Sequence, residues 1–315
     1  MDNHFDSIII GAGAAGLTAG IYLSRAKVST LILNEGTVGG QLVLTHEVAN
    51  YPGVEHISGY ELARTMKQQA MSFGCKIRSN LKVTSLQLEG EIKSVEINNK
   101  ETFTAHSVII ATGGKSRMIG APGEVEFKGK GISYCATCDG DFFQDKEIIV
   151  VGGGNAALEE AVSLTKYASK VTIVHQFDHF QAFEHYIDEA KKNEKINFIM
   201  ETKITQFMGD EKLRSVKLEH IPSGDLTEMK IDGVFIFIGY VPNTESLEGI
   251  IALNPNKEII VNSNMETNIP GVFAAGDSIV KRFRQVTTAV ADGTIAALVS
   301  ADYINNIKKN SEILA

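Results

Sequence analysis

Phe5-Asp6-Ser7-Ile8-Ile9-Ile10-Gly11-Ala12-Gly13-Ala14-Ala15-Gly16 is an apolar strand that runs directly into a glycine-rich turn, and residues 17–25 continue it as a helix. In such a unit one glycine makes the tight turn, a second lets a pyrophosphate approach the backbone, and a third lets the helix pack on the strand. The phosphate then meets the positive end of the helix. An acid about 20 residues further on should hold a ribose hydroxyl. Glu35 lies 19 residues beyond Gly16, at the end of the next apolar strand, 30–33. Gly11, Gly13, Ala14, Ala15, Gly16 and Glu35 therefore form a candidate dinucleotide site.

The same unit returns later in the chain. Glu147-Ile148-Ile149-Val150-Val151 runs into Gly152-Gly153-Gly154-Asn155-Ala156-Ala157, with a helix through Leu164 and a strand at 170–174; 141 residues separate Gly11 from Gly152. Each half also closes alike, with Ser107-Val108-Ile109-Ile110-Ala111-Thr112-Gly113 in the first and Gly233-Val234-Phe235-Ile236-Phe237-Ile238-Gly239 in the second. Gly271-Val272-Phe273-Ala274-Ala275-Gly276-Asp277 adds a strand ending in a small-residue turn, and residues 287–307 read as a helix. The expected fold is α/β: two Rossmann-like nucleotide-binding-type domains, the second inserted in the first. Pro, Gly and Asn cluster at the crossovers near 115–122 and 241–248. These place the first domain at 1–116 and 246–315 and the second at 117–245, with hairpin-like strands around 82–103 in the first.

Bulk properties set limits. The chain has 315 residues, 43% hydrophobic and 22% charged, with a net charge of -8 and a pI near 5.6. The acidic balance argues against nucleic acid as a main ligand. Three cysteines are too few for a secreted disulfide framework. The start lacks a basic segment followed by a long apolar one, and no stretch is long enough to span a membrane. A cytoplasmic protein is expected.

Two of the cysteines stand in Cys135-Ala136-Thr137-Cys138-Asp139-Gly140, just before the second glycine-rich strand. A CxxC pair can close a small disulfide ring, and a depressed thiol pKa makes it competent for exchange. A zinc site needs four ligands and no second CxxC exists, so no metal is expected; two idle buried thiols are the remaining alternative. Cys75 is isolated and reads as an inert, partly buried thiol.

The motifs Gly39-Gly40-Gln41-Leu42, Glu47-Val48-Ala49-Asn50-Tyr51-Pro52-Gly53, Ala111-Thr112-Gly113, Ala274-Ala275-Gly276-Asp277 and Arg284-Gln285 together resemble the FAD site of low-molecular-weight thioredoxin reductases, along essentially the whole chain. The resemblance implies FAD as cofactor and a homodimer. It implies that Gln41 and Asn50 approach the flavin, that Asp277 holds the ribityl chain, and that Arg284, Gln285 and Val286 line the ring. Gly40, Leu42, Val83, Ala111, Thr112, Gly113 and Gly276 complete the implied cofactor set. It further implies that Cys138 faces the flavin, that Cys135 attacks the disulfide of thioredoxin, and that Asp139 acts as general acid–base. The alternative for Asp139 is a turn residue before Gly140.

The second nucleotide motif is incomplete. Nineteen residues beyond Ala157 stands Gln176, where an NAD site wants an acid and an NADP site wants nearby arginine. NADPH-dependent members of the resembled family carry His-Arg-Arg-x-x-x-Arg here; this chain reads His175-Gln176-Phe177-Asp178-His179-Phe180-Gln181. A hydrogen bond to a charged group contributes roughly 1.5–3 kcal/mol. Losing two or three would weaken binding of a 2′-phosphate on the order of a hundredfold or more. Asp178 adds repulsion, and His175 and His179 could compensate only in part. The chain thus resembles the ferredoxin-dependent flavin thioredoxin reductases, which implies reduced ferredoxin as donor. Lys281, Arg282 and Arg284 would offer an acidic ferredoxin a basic patch. A conventional NADPH or NADH reductase with an unusual pocket stays open, as does a flavin redox sensor without turnover. A peroxide-reducing flavoprotein subunit would carry an extra N-terminal CxxC domain, whereas the first strand here starts at Phe5.

Overall fold

In the computed structural model, residues 3–45 and 48–314 are described, with side chains to residue 310; Glu47, quoted above, lies outside the described residues. The chain forms two compact units, Met1–Lys115 with Val241–Ala315, and Ser116–Tyr240.

The first unit begins with β1 (His4–Ile10), α1 (Ala14–Arg25) and β2 (Thr30–Leu33), followed by α2 (Gly59–Ser72), β3 (Lys76–Arg78), β4 (Val83–Gln87), β5 (Lys93–Ile97) and β6 (Glu101–Ile110). β3, β2, β1 and β6 pair in parallel in that order. β6 is long enough to serve twice. Its first half pairs antiparallel with β5, which pairs with β4, and this accounts for the hairpin-like stretch.

After β7 (Gly114–Ser116), the second unit holds β8 (Ile132–Ser133), α3 (Ala136–Asp139), β9 (Glu147–Val151), α4 (Asn155–Leu164), β10 (Lys170–Val174), α5 (Glu184–Lys192) and β11 (Ile196–Ile199). A meander of β12 (Thr202–Gly209), β13 (Leu213–His220) and β14 (Leu226–Lys230) precedes β15 (Gly233–Ile236). The parallel order is β11-β10-β9-β15-β8. β16 (Tyr240–Pro242) returns the chain to the first unit and pairs with β7. β17 (Val272–Ala274) then adds in parallel to the second half of β6, and α6 (Val286–Leu314) ends the chain.

The return boundary falls five residues earlier than 246. The backbone N–H of Asn243 donates to Gly113 O and its side chain to Thr112 O, both at 2.9 Å, while the Thr244 hydroxyl donates to Lys257 O at 2.7 Å. These bonds tie residues 243–244 to the first unit. The meander β12–β14 was not foreseen. Its alternating burial is that of a sheet with one face on a core, where Ile204, Phe207, Leu213, Val216 and Leu218 pack with Ile149 and Val234.

The two glycine turns are built alike. Gly11 has φ 107°, and a Cβ there would lie 2.2 Å from Ala111 O. Gly152 has φ 137°, and its Cβ would lie 2.4 Å from Phe237 O. In both units the turn therefore presses on the backbone just past the central strand, which only glycine permits. Among the described residues, no helix is long and apolar enough to cross a membrane.

Candidate active site

In the first unit the chain tightens around the first turn. Gly11 N–H donates to Leu33 O (2.8 Å), Gly39 N–H to Ala12 O (2.7 Å) and Ala111 N–H to Ile10 O (2.8 Å). Gly40 sits so close to Gly13 that a Cβ on it would lie 3.2 Å from the Gly13 Cα. Asn34, which sequence reasoning passed over, pins the turn: its Oδ1 accepts from Ala12 N–H (2.9 Å) and its Nδ2 donates to Gly36 O (2.6 Å). An amide before the acid carries no sequence signal of its own, so only the structure reveals it.

Glu35 and Val83 meet, the Val83 N–H donating to Glu35 Oε1 at 3.2 Å. Asn50 Nδ2 donates to Gln285 Oε1 at 3.3 Å. Gly276 packs on Ala15, and its N–H donates to Asp292 Oδ2 at 3.1 Å. Val286 opens α6, Gln41 is exposed, and the Leu42 side chain is buried in the core.

These residues suit a dinucleotide. α1 begins at Gly13 with no side-chain cap, so its first N–H groups are left for a phosphate. Open space surrounds the absent Cβ positions of Gly13 and Gly113. Asp277 Oδ1 and Thr112 Oγ1 are buried without a hydrogen-bond partner, an arrangement that costs free energy unless a ligand hydroxyl or ring atom completes it. Burial raises the Asp277 carboxyl above its ordinary range against the pull of Lys281 and Arg284.

The basic patch does not form as expected. Lys281 is ion-paired with Asp292 and is 11% exposed, and Arg284 is ion-paired with Glu258. Two of the three cations are thus neutralised inside the unit. Arg282 stays exposed, its guanidinium 4.9 Å from the exposed Phe283 ring.

In the second unit Cys135 and Cys138 form a disulfide, with Cα atoms 5.3 Å apart. β8 and α3 present it. Cys135 is the residue before α3 in extended conformation, and its Sγ accepts from Cys138 N–H at 3.2 Å. Both cysteines and Asp139 are half-buried. The Asp139 carboxylate meets the Ser133 hydroxyl at 2.5 Å. Glu124, fully buried, accepts from Ile119 N–H, Gly120 N–H and the Tyr134 hydroxyl, and so fixes the loop leading to the cysteines.

The second turn is differently furnished. His175 is buried, with its ring under Gly153, where a Cβ would lie 2.4 Å from the imidazole. Phe180 stacks on that ring and Phe177 meets it edge-on. Burial lowers the His175 pKa, so the ring is neutral at pH 7 and does not supply the partial compensation considered above. Asp178 is exposed and hydrogen-bonded to His179 at 2.6 Å, which holds its carboxyl below its ordinary value and so ionised. Gln181 N–H donates to Gly153 O (2.7 Å) and Phe183 N–H to Asn155 Oδ1 (2.8 Å). The residues present do not fit a 2′-phosphate.

The sequence profile described as Pyridine nucleotide-disulphide oxidoreductase matches residues 5–293. The chain belongs to that family. Within this oxidoreductase family it is 45% identical over 311 residues to a thioredoxin reductase of Peptoclostridium acidaminophilum, covering 96% of this chain and 98% of the relative. It is 43% identical over 311 residues to a thioredoxin reductase of Listeria innocua, covering 98% and 96%. The crystal structure of thioredoxin reductase from Streptococcus pyogenes superposes with a TM-score of 0.94 at 39% identity, covering 97% of this chain and all of that one. These matches place the chain in the thioredoxin reductase branch of the family.

Cys75 is the one free cysteine among the described residues, and it is buried beside Gly20 and Ile32. Burial pushes its thiol up to about 11. Oxidised native protein should therefore react negligibly with a thiol reagent and show one thiol per chain on unfolding, with Cys75→Ser nearly silent in activity. Rapid native labelling would contradict the assignment.

Proposed function

We propose that this oxidoreductase binds FAD in its first unit and reduces the disulfide of thioredoxin with the Cys135/Cys138 pair. The observation that carries this is the disulfide at the β8–α3 junction, with Asp139 beside it, in a chain whose other unit has a dinucleotide cradle with an unpartnered buried carboxylate oxygen on Asp277. Bound FAD would supply the electron pair that opens the Cys135–Cys138 bond. Gly11 to Gly16 and the N-terminus of α1 would hold its pyrophosphate, Glu35 a ribose, and Asp277 the ribityl chain. Cys135, its sulfur already accepting the Cys138 N–H, would be steadied as a thiolate and attack the partner disulfide. Asp139 would give a proton to the leaving thiolate. Cys138 would then displace the reduced partner and close the ring.

Reduced ferredoxin is the donor this reading favours over NADPH. In support stand Gln176 in place of an acid, no lysine or arginine from 175 to 183, and an ionised Asp178. With Lys281 and Arg284 paired internally, electrostatic steering by this segment is weak, so the rate of reduction should fall only shallowly with salt. A homodimeric, cytoplasmic enzyme goes with this reading.

The test is an anaerobic titration of the purified protein. It should be yellow, with about one FAD per chain, and its flavin absorbance should bleach with reduced ferredoxin far faster than with NADPH or NADH. Bleaching by NADPH at catalytic rates with no response to ferredoxin restores the conventional donor. A folded, colourless protein that ignores added FAD sinks the flavoprotein reading altogether.

A further inference from the structure

We infer that Ser133 is a positioning residue for Asp139, holding that carboxyl in both of its protonation states; the inference rests on the disulfide-reductase reading. Ser133 closes β8 and is 4% exposed. Its backbone is fixed in register with Phe235 of β15, itself fully buried. Its Oγ lies 2.5 Å from Asp139 Oδ2, 3.1 Å from Cys135 N and 3.2 Å from Cys135 O. All these groups belong to the second unit.

A hydroxyl has one proton and two lone pairs. One lone pair takes the Cys135 N–H in every state. With Asp139 ionised, the hydroxyl proton points to Oδ2 in a charge-assisted bond. With Asp139 protonated on Oδ2, the acid donates to the second lone pair of Ser133, and the hydroxyl proton turns to Cys135 O. The same heavy-atom geometry serves both states, and only a hydroxyl rotor moves. This matters because the reaction cycles Asp139 between them. The Cys135 thiolate forms a bond to one partner sulfur as the partner S–S bond breaks, and the leaving thiolate takes the Asp139 proton. The Cys138 thiolate then bonds to the Cys135 sulfur, releasing the second partner sulfur as a thiolate that is protonated from water. The enzyme dithiol is oxidised and the partner disulfide reduced. Asp139, now ionised, regains its proton from solvent. Ser133 keeps the carboxyl aimed throughout, and through the Cys135 N–H it ties that aim to the nucleophile's own backbone.

The experiment mixes dithionite-reduced protein with oxidised thioredoxin across a pH series, for wild type, Ser133→Ala, Ser133→Thr, Asp139→Asn and the Ser133→Ala/Asp139→Asn double variant. Flavin content and melting are read alongside. Removing a donor to the ionised carboxylate disfavours that form, so Ser133→Ala should move the Asp139-dependent limb upward by about one unit. It should slow the reaction roughly tenfold, as a small misplacement of a reacting group does. Ser133→Thr, which keeps the hydroxyl, should leave the limb near its wild-type position. In the Asp139→Asn background Ser133→Ala should add little. Equal losses in both backgrounds, or an unmoved limb, overturn the inference. A second arm needs no thioredoxin: the pH profile of iodoacetamide alkylation of reduced Cys135 should differ between wild type and Ser133→Ala, and coincide for Asp139→Asn and the double variant. These alkylation results together with a wild type that leaves thioredoxin oxidised defeat the reductase reading and not the role of Ser133. Alkylation profiles that coincide for wild type and Ser133→Ala defeat the role of Ser133.

Discussion

Cys135→Ser and Cys138→Ser are each expected to abolish thioredoxin reduction while leaving FAD bound. A hydroxyl has neither the acidity nor the nucleophilicity of a thiol at neutral pH, and neither variant can re-form the ring that Cys135 and Cys138 make. Removing a covalent nucleophile from a working set costs on the order of 10⁴-fold or more. FAD should stay, because both cysteines lie in the Ser116–Tyr240 unit and the cradle residues in the other. The two variants should differ in one respect. Cys138→Ser retains the attacking thiol and should trap thioredoxin as a mixed disulfide, visible as a covalent adduct that dithiothreitol releases. Cys135→Ser should not. Adducts formed by Cys135→Ser and absent from Cys138→Ser would reverse the assigned order of attack, and activity retained by Cys138→Ser would refute the path outright.

Asp139→Asn is expected to slow turnover by roughly 10²–10⁴-fold, the range for a positioned acid–base group. The amide oxygen can still accept from Ser133, while the exchangeable carboxyl proton is lost. Asp139 is half-buried at the end of a short helix and the replacement is isosteric, so the melting temperature should move little. Rapid-mixing measurements across pH should show the Asp139-dependent limb gone. An unchanged rate would reduce Asp139 to a turn former before Gly140.

Much of this architecture could be read from the chain because two strong patterns repeat. Apolar strands leading into glycine turns mark both parallel sheets, and the strands 30–33 and 170–174 fall where the pattern puts them. The meander β12–β14 was harder. Its strands alternate polar and apolar around Gly209-Asp210-Glu211 and Pro222-Ser223-Gly224-Asp225, but Ile204, Phe207 and Val216 show their common face only once β9 and β15 are in place. The return to the first unit at Val241 falls inside the crossover read at 241–248, while the boundary drawn at 246 is five residues late, because Asn243 and Thr244 read as loop residues whereas their hydrogen bonds hold them to the first unit.

At the candidate site, residue types were legible and pairings were not. Three cations in Lys281-Arg282-Phe283-Arg284 suggest a patch, but Asp292 and Glu258 are distant in sequence and neutralise two of them. His175 reads as a possible phosphate contact until its burial under Gly153 is seen. Asn34, Glu124 and Ser133 are polar residues among many, and only their hydrogen bonds set them apart.

Whether the dithiol works as the bridge between flavin and thioredoxin is tested most directly by a single-turnover mixing experiment that needs no physiological donor. Dithionite-reduced protein, freed of excess reductant, is mixed anaerobically with oxidised thioredoxin while flavin absorbance and thioredoxin thiols are followed together. With excess thioredoxin, the account predicts for the wild type a first pair of thioredoxin thiols from the enzyme dithiol and a second pair in step with flavin reoxidation, and for Cys138→Ser a flavin that stays reduced while thioredoxin is held as the mixed disulfide. Reduced flavin persisting beside intact thioredoxin disulfide in the wild type would contradict it.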